Sequence, residues 1–236
     1  MKKKFILIFL LSSFSYSQTL KGVITINPQH SLGDETELSE KGKKPIYTSY
    51  TFSNNKSIQK LISNEGTSID TIIVEHPDVE GLTMKTTKAI IRSNKLIIYK
   101  DYINDVFRLE GEKKNRQLNT EYLSIKDNIP THNWTLQNET QTILGYTCKK
   151  ATAEKISFGR KQYITAWYTE EIPISDGPKI YNGLPGLILQ VDNKITLIKF
   201  EKLKFFKDTN TEIEAPKNES ELISINGFQL QTMNKR

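Results

Sequence analysis

The chain of 236 residues holds one cysteine and three histidines, so its inventory for nucleophilic or metal chemistry is short. Cys148 lies in Leu144-Gly145-Tyr146-Thr147-Cys148-Lys149-Lys150. Flanking lysines could lower a thiol pKa and make a nucleophile, but the pattern suits a small buried hydrophobe better, with Leu144, Tyr146 and Cys148 sharing one strand face. A catalytic thiol would also need a base, and only His132 is near in sequence. His30, His76 and His132 are widely separated and follow no metal spacing, so neither a metal nor a cofactor is expected. Glu170, Glu171 and Asp176 could supply the two facing acids of glycoside hydrolysis, although neighbouring loop acids are more often solvated charges. A nucleophile elbow, a phosphate loop and a dinucleotide fingerprint are absent from the sequence. The remaining concentration of side chains suited to contact is aromatic: Trp134, Tyr146, Tyr163, Trp167 and Tyr168. On a concave sheet they would line either a core or a surface for peptide, glycan or lipid. Trp167 and Tyr168, adjacent in a strand, must face opposite sides.

The elements that position these residues follow a period of two. Strands are expected over Leu20 to Ile26, Ile69 to Val74, Asp105 to Leu109, Thr120 to Ile125, Ile143 to Ala153, Lys161 to Tyr168, Gly186 to Val191 and Ile195 to Phe206. Hairpins are expected at Ser93-Asn94, joining Lys88–Arg92 to Lys95–Lys100, and at Asp192-Asn193-Lys194. Helix signals are weak: Ser57 to Ile62 offers a serine cap, and Asn218 to Ile223 could form one turn. Short strands joined by brief polar turns argue a mainly β fold, one curved antiparallel sheet forming a bowl or open barrel with little helix. The apolar phase slips between Ile198, Phe200 and Leu203, Phe205, which predicts a bulge where the sheet curls. A membrane barrel is disfavoured because Ile198 to Lys204 places lysines on both faces, and one near the bilayer midplane costs ~2–4 kcal/mol.

Lys2, Lys3 and Lys4 precede an apolar run from Phe5 to Leu11 and small residues up to Ser17. That order reads as a secretory signal peptide cleaved between Ser17 and Gln18, giving an exported, periplasmic or secreted protein. The run is too short to span a bilayer, and no cysteine follows it to carry a lipid. Removing residues 1–17 takes away three lysines and no acids, so the formal charge falls from +6 to +3. The densest basic stretch, Glu112 to Arg116, lacks interleaved aromatic residues and reads as a solvated loop. Nucleic acid is therefore excluded as a partner. A single cysteine also excludes an internal disulfide framework. The expected organisation is a signal at 1–17, a β-rich domain at 18–207 and a polar extension at 208–236.

Residues 134 to 191 carry the most specific pattern: Trp134 to Thr140, Ile143 to Ala151, Phe158-Gly159-Arg160, Ala166 to Pro173, Gly177-Pro178, and Gly183-Leu184-Pro185-Gly186-Leu187-Ile188. The final hexapeptide and the order of the blocks before it resemble the GLPGLI family. The resemblance implies a secreted Bacteroidetes-type protein of unknown function, with members similar to companions of TonB-dependent outer-membrane transport systems. It also implies likeness to the bowl-shaped β domain that precedes the catalytic part of some secreted peptide N-glycanases, here without a glycanase domain. The backbone reading of the motif is a type II turn over Leu184 to Leu187, with Pro185 and Gly186 at its centre. Pro173, Asp176-Gly177-Pro178 and Asn182-Gly183 break the chain upstream, so residues 170–186 form a long irregular connection. Its apolar residues Ile172, Ile174, Ile180, Tyr181 and Leu184 favour an ordered plug over a catalytic loop. The resulting expectation is an envelope protein that is not integral to the membrane and whose role is binding or assembly, with an outer-membrane transporter or another envelope protein as partner. The rivals are a secreted hydrolase or peptidase using the 170–186 loop, and a carrier of an apolar ligand in the concave sheet.

Overall fold

A computed structural model describes residues 19–30, 38–63, 68–75, 78–90, 92–114, 119–207, 211–217 and 221–234. Residues 1–17, read above as an export signal, and His76 lie outside these residues. Among the described residues thirteen strands follow in chain order: β1 (Thr19–Pro28), β2 (Ile46–Ser53), β3 (Lys56–Leu61), β4 (Ser68–Glu75), β5 (Thr83–Ile90), β6 (Leu96–Asp101), β7 (Val106–Lys114), β8 (Thr120–Asp127), β9 (Thr135–Ile143), β10 (Tyr146–Ser157), β11 (Arg160–Thr169), β12 (Leu187–Asp192) and β13 (Thr196–Phe206). Two helices accompany them, the single turn α1 (Glu40–Lys43) and α2 (Ile225–Asn234). Eleven strands form one antiparallel sheet in the order β8-β7-β6-β3-β2-β1-β13-β12-β11-β10-β9, and β4 and β5 pair with each other as a second, two-stranded sheet.

The two edge strands of that sheet, β8 and β9, are consecutive in the chain and joined by residues 128–134 alone. Eight residue steps reach at most about 29 Å, whereas eleven flat strands at about 4.8 Å spacing would hold their edges roughly 48 Å apart. The sheet must therefore curl until its edges approach, and it does so without closing into a barrel. Register shifts supply the bend. In the β1–β13 ladder Val23 opposes Lys202 and Ile24 opposes Phe200, so Glu201 is the extra residue of the bulge that the phase slip announces. Further shifts lie at Trp167/Tyr168 against β12 and at Lys149/Ala151 against β9.

The concave face carries the core in two parts. Leu20, Ile24, Tyr50, Ile164, Ala166, Tyr168, Val191, Ile198 and Phe200 meet Ile172, Tyr181 and Leu184 of the 170–186 connection. Ile98, Phe107 and Ile125 are covered from the C-terminal side by Ile223, Ile225 and Phe228. The tail also reaches the β8 edge, where the Ile223 N–H donates to the Ser124 carbonyl (3.1 Å) and the Lys126 N–H to the Ile223 carbonyl (3.0 Å).

Several local expectations are corrected by long-range pairing. Ser57 to Ile62 is not helical: Asn54 and Asn55 both take positive φ and turn β2 into β3, burying Ser57 and Gln59. Lys88–Arg92 and Lys95–Lys100 do not pair, because β5 folds back on β4 while β6 lies between β3 and β7. A polar turn signal cannot choose between such partners. The stretch Ile143 to Ala153 is two strands, since Leu144 and Gly145 at φ 53° and 84° make a tight turn, which removes Leu144 from the face of Cys148. The C-terminal helix starts at Ile225, with Ser224 Oγ accepting from the Gly227 N–H (3.0 Å) as a cap, while residues 218–220 lie outside the described residues.

Candidate functional site

The 170–186 connection enters the bowl as a wedge. Its turns are tight: the N–H groups of Ile174, Asp176 and Gly186 donate to the carbonyls of Ile172 (2.7 Å), Ile174 (2.8 Å) and Leu184 (2.8 Å). These two-residue closures centre on Pro173, Ser175 and Pro185 and are γ-type turns. The type II turn expected over Leu184 to Leu187 is thereby replaced by one a residue shorter. Gly186 sits at φ 150°, and a Cβ there would collide with the Thr169 carbonyl oxygen. The glycine is required by a close backbone approach at the mouth of β12.

Asp176 anchors the wedge. It is fully buried; its Oδ2 accepts from Tyr50 Oη (2.7 Å), and its Oδ1 from Tyr102 Oη (2.6 Å) and the Lys100 ammonium. Lys100, 2% exposed, also donates to the Gly177 carbonyl (2.8 Å). Burial pushes the Tyr50 and Tyr102 hydroxyls well above the ordinary tyrosine range, and the Asp176 charge pushes the same way. Burial lowers Lys100, partly offset by Asp176. Sequence reasoning missed Lys100, Tyr50 and Tyr102. One signal was available, since Lys100 continues the inward phase of Leu96 and Ile98, where a lysine requires a buried partner.

The other loop acids face water. Glu170 Oε2 pairs with Lys149 Nζ (2.7 Å), and Glu171 Oε1 accepts the Thr147 N–H (2.8 Å). Glu170, Glu171 and Asp176 therefore do not converge on a polar cleft. Cys148 is fully buried and its thiol is pushed up to about 11, chiefly by burial, which is the wrong direction for a nucleophile. Among the described residues, no cluster of three His, Cys, Asp or Glu side chains could hold a metal, and no helix is long and apolar enough to cross a membrane.

The five aromatic candidates are dispersed. Tyr168 is 1% exposed in the core. Trp167 and Tyr146 are half-buried against it. Tyr163 is 56% exposed beside Asn133, Thr152 and Glu154. Trp134 belongs to the wedge: its Nε1–H donates to the Asn182 carbonyl (2.8 Å), and Gly183 (φ 88°) lies against the indole. Residues 128–134 bind the wedge further through Asn182 Nδ2, which donates to the Pro130 carbonyl (2.9 Å), and His132 Nε2, which lies 3.0 Å from the Ile180 carbonyl. His132 stacks on Tyr181 and meets Trp134 at a tilt, where burial lowers its pKa. The hexapeptide Gly183 to Ile188 thus lies where wedge, crossover and β12 meet.

Residues 154–190, from within β10 to β12 and including the whole wedge, match the family model described as Protein of unknown function (Porph_ging). No curated protein matches the chain. Two solved structures align with it: PNGF-II in the C2 space group, with TM-score 0.49 and 15% identity over 92% of this chain and 32% of that one, and PNGF-II in the P21 space group, with TM-score 0.47 and 14% identity over 88% and 31%. The chain spans about a third of the length of these structures.

Proposed function

We propose that the protein is an exported, GLPGLI-type binding or assembly module of the cell envelope, acting in the periplasm or outside the cell beside an outer-membrane transport system of the TonB-dependent kind. The observation that carries this reading is the state of the 170–186 connection. Its single buried acid is consumed by Lys100, Tyr50 and Tyr102, and its other acids bind outward. A loop committed to filling the sheet is a scaffold for surfaces, which speaks against the hydrolase alternative. The β4–β5 ribbon offers one such surface, since Val79, Leu82 and Met84 stand exposed around its turn. Exposed apolar groups close together in the sequence suit a partner contact.

Affinity capture of the protein without residues 1–17 from its native envelope tests this, with mass-spectrometric identification of what is retained. An outer-membrane transporter component should be recovered, and a Val79→Glu/Leu82→Glu variant should lose it. Recovery of no envelope partner, or glycan or peptide hydrolysis abolished by Glu170→Gln, would overturn the reading.

A further inference from the structure

The wedge does not fill the whole concavity. A cavity of about 260 Å³ remains over β1, β2, β3, β6, β7 and β8, with Ile26, Ile46, Leu61, Leu96, Leu109 and Leu123 as its walls. Gly111 opposes Leu96 on one side and Leu123 on the other, so the middle of this aliphatic row has no side chain and the sheet is hollowed there. An apolar cavity of about 150 Å³ stays dry and takes up benzene. The larger volume here suits a single acyl chain.

Charge at the cavity is uneven. Lys95 is paired with Glu110 (3.2 Å), and Arg92 donates to the carbonyls of Lys41 (2.9 Å), Gly42 (3.4 Å) and Lys44 (2.7 Å). Glu112 is the acid on the lining. Lys179 reaches the cavity from the wedge, held in place by its own N–H, which donates to Gln59 Oε1 (2.8 Å). Among the described residues its ammonium has neither a carboxylate nor a hydrogen-bond acceptor. Burial pulls Lys179 down to about 8, and repulsion from Lys155 adds to this. Lys155, whose Nζ lies 5.8 Å from the Tyr181 ring centroid, also has no carboxylate partner among the described residues. A half-buried ammonium on the cavity lining, repelled by a second lysine, is a cost that an incoming anion removes.

We propose that this cavity binds a single-chain acidic amphiphile, with the acyl chain between the aliphatic walls and the carboxylate on Lys179 Nζ. The proposal deepens the binding-module reading and rests on it, yet it does not depend on which envelope partner the module meets. Isothermal titration of the purified protein with dodecanoate and with 1-dodecanol tests it, with phosphatidylglycerol vesicles as a separate arm. Dodecanoate should bind once per chain and at least about tenfold more tightly than the alcohol, the factor that one charge-assisted hydrogen bond supplies. Lys179→Met should abolish that preference. Leu123→Phe should weaken both ligands, and Leu61→Phe on another wall serves if the first variant does not fold. Equal affinities in the unsubstituted protein, an unchanged preference in Lys179→Met, or association with vesicles without uptake of dodecanoate would each overturn the proposal. Failure of dodecanoate to bind while an envelope partner is captured refutes the cavity's ligand and spares the module. Dodecanoate binding without any captured partner does the reverse.

Discussion

At the level of single residues, the buried ion pair sets how firmly the wedge is held. Removing one partner of such a pair leaves an uncompensated charge and costs ~3–5 kcal/mol, whereas removing both is far milder. Lys100→Met should accordingly destabilise the protein by about that amount in urea unfolding, and Lys100→Met/Asp176→Asn should recover part of the loss. Additive costs in the double variant would show that the two side chains do not act as a pair. The two glycines of the hexapeptide should separate as sharply. Gly183→Ala meets nothing nearer than the Trp134 indole at 3.8 Å and should cost about 1–2 kcal/mol for its positive φ alone. Gly186→Ala drives a methyl group into the Thr169 backbone and should leave no soluble folded protein. A well-folded Gly186→Ala variant would refute the close-approach account. The sequence reading gives Gly186 a turn role, whereas the structure sets it against a strand end seventeen residues away.

At the level of elements, strands were legible where a long run kept its phase, as in β1 and β11, and in β13 the slip of phase itself marked the bulge. They were misread where pairing overrides local chemistry, as with the serine that suggested a helix at Ser57. The C-terminal segment is the clearest example. Its polar composition concealed Ile223, Ile225 and Phe228, which cover Ile98, Phe107 and Ile125 while Ile223 caps the edge of β8. Truncation after Lys207 should lower stability by roughly 3 kcal/mol from lost apolar burial. It should also raise binding of a hydrophobic dye and promote edge-to-edge association. A truncated chain with an unchanged unfolding midpoint would show that the tail does not contribute to the fold.

At the level of the whole molecule, the seam between β8 and β9 is bridged by residues 128–134, and His132 is the titratable group stacked within it. Burial holds its pKa below the ordinary value, and the positive charges of Lys155 and Lys100 act in the same direction against the Ile180 carbonyl. The unfolded chain then takes up a proton near pH 6.5 that the folded chain resists. Below that pH the unfolded state binds more protons, so stability falls as pH falls until the lowered folded pKa is passed. His132→Gln should flatten this part of the stability profile. Identical slopes for the two proteins would remove His132 as the cause.

The sequence by itself determined the β class, the bulge in β13, the irregular wedge and the burial of Cys148, because each depends on local periodicity, turn chemistry or residue type. The curved antiparallel sheet was expected as well; only the tertiary structure decided that its two edges, β8 and β9, are linked by just seven residues and approach without pairing. It alone joined Asp176 to Lys100, Tyr50 and Tyr102, and left Lys179 without a charge partner among the described residues beside an aliphatic hollow. Those relations join residues far apart in the chain, and side chains are assigned to a common interior only by the register and curvature of the whole sheet.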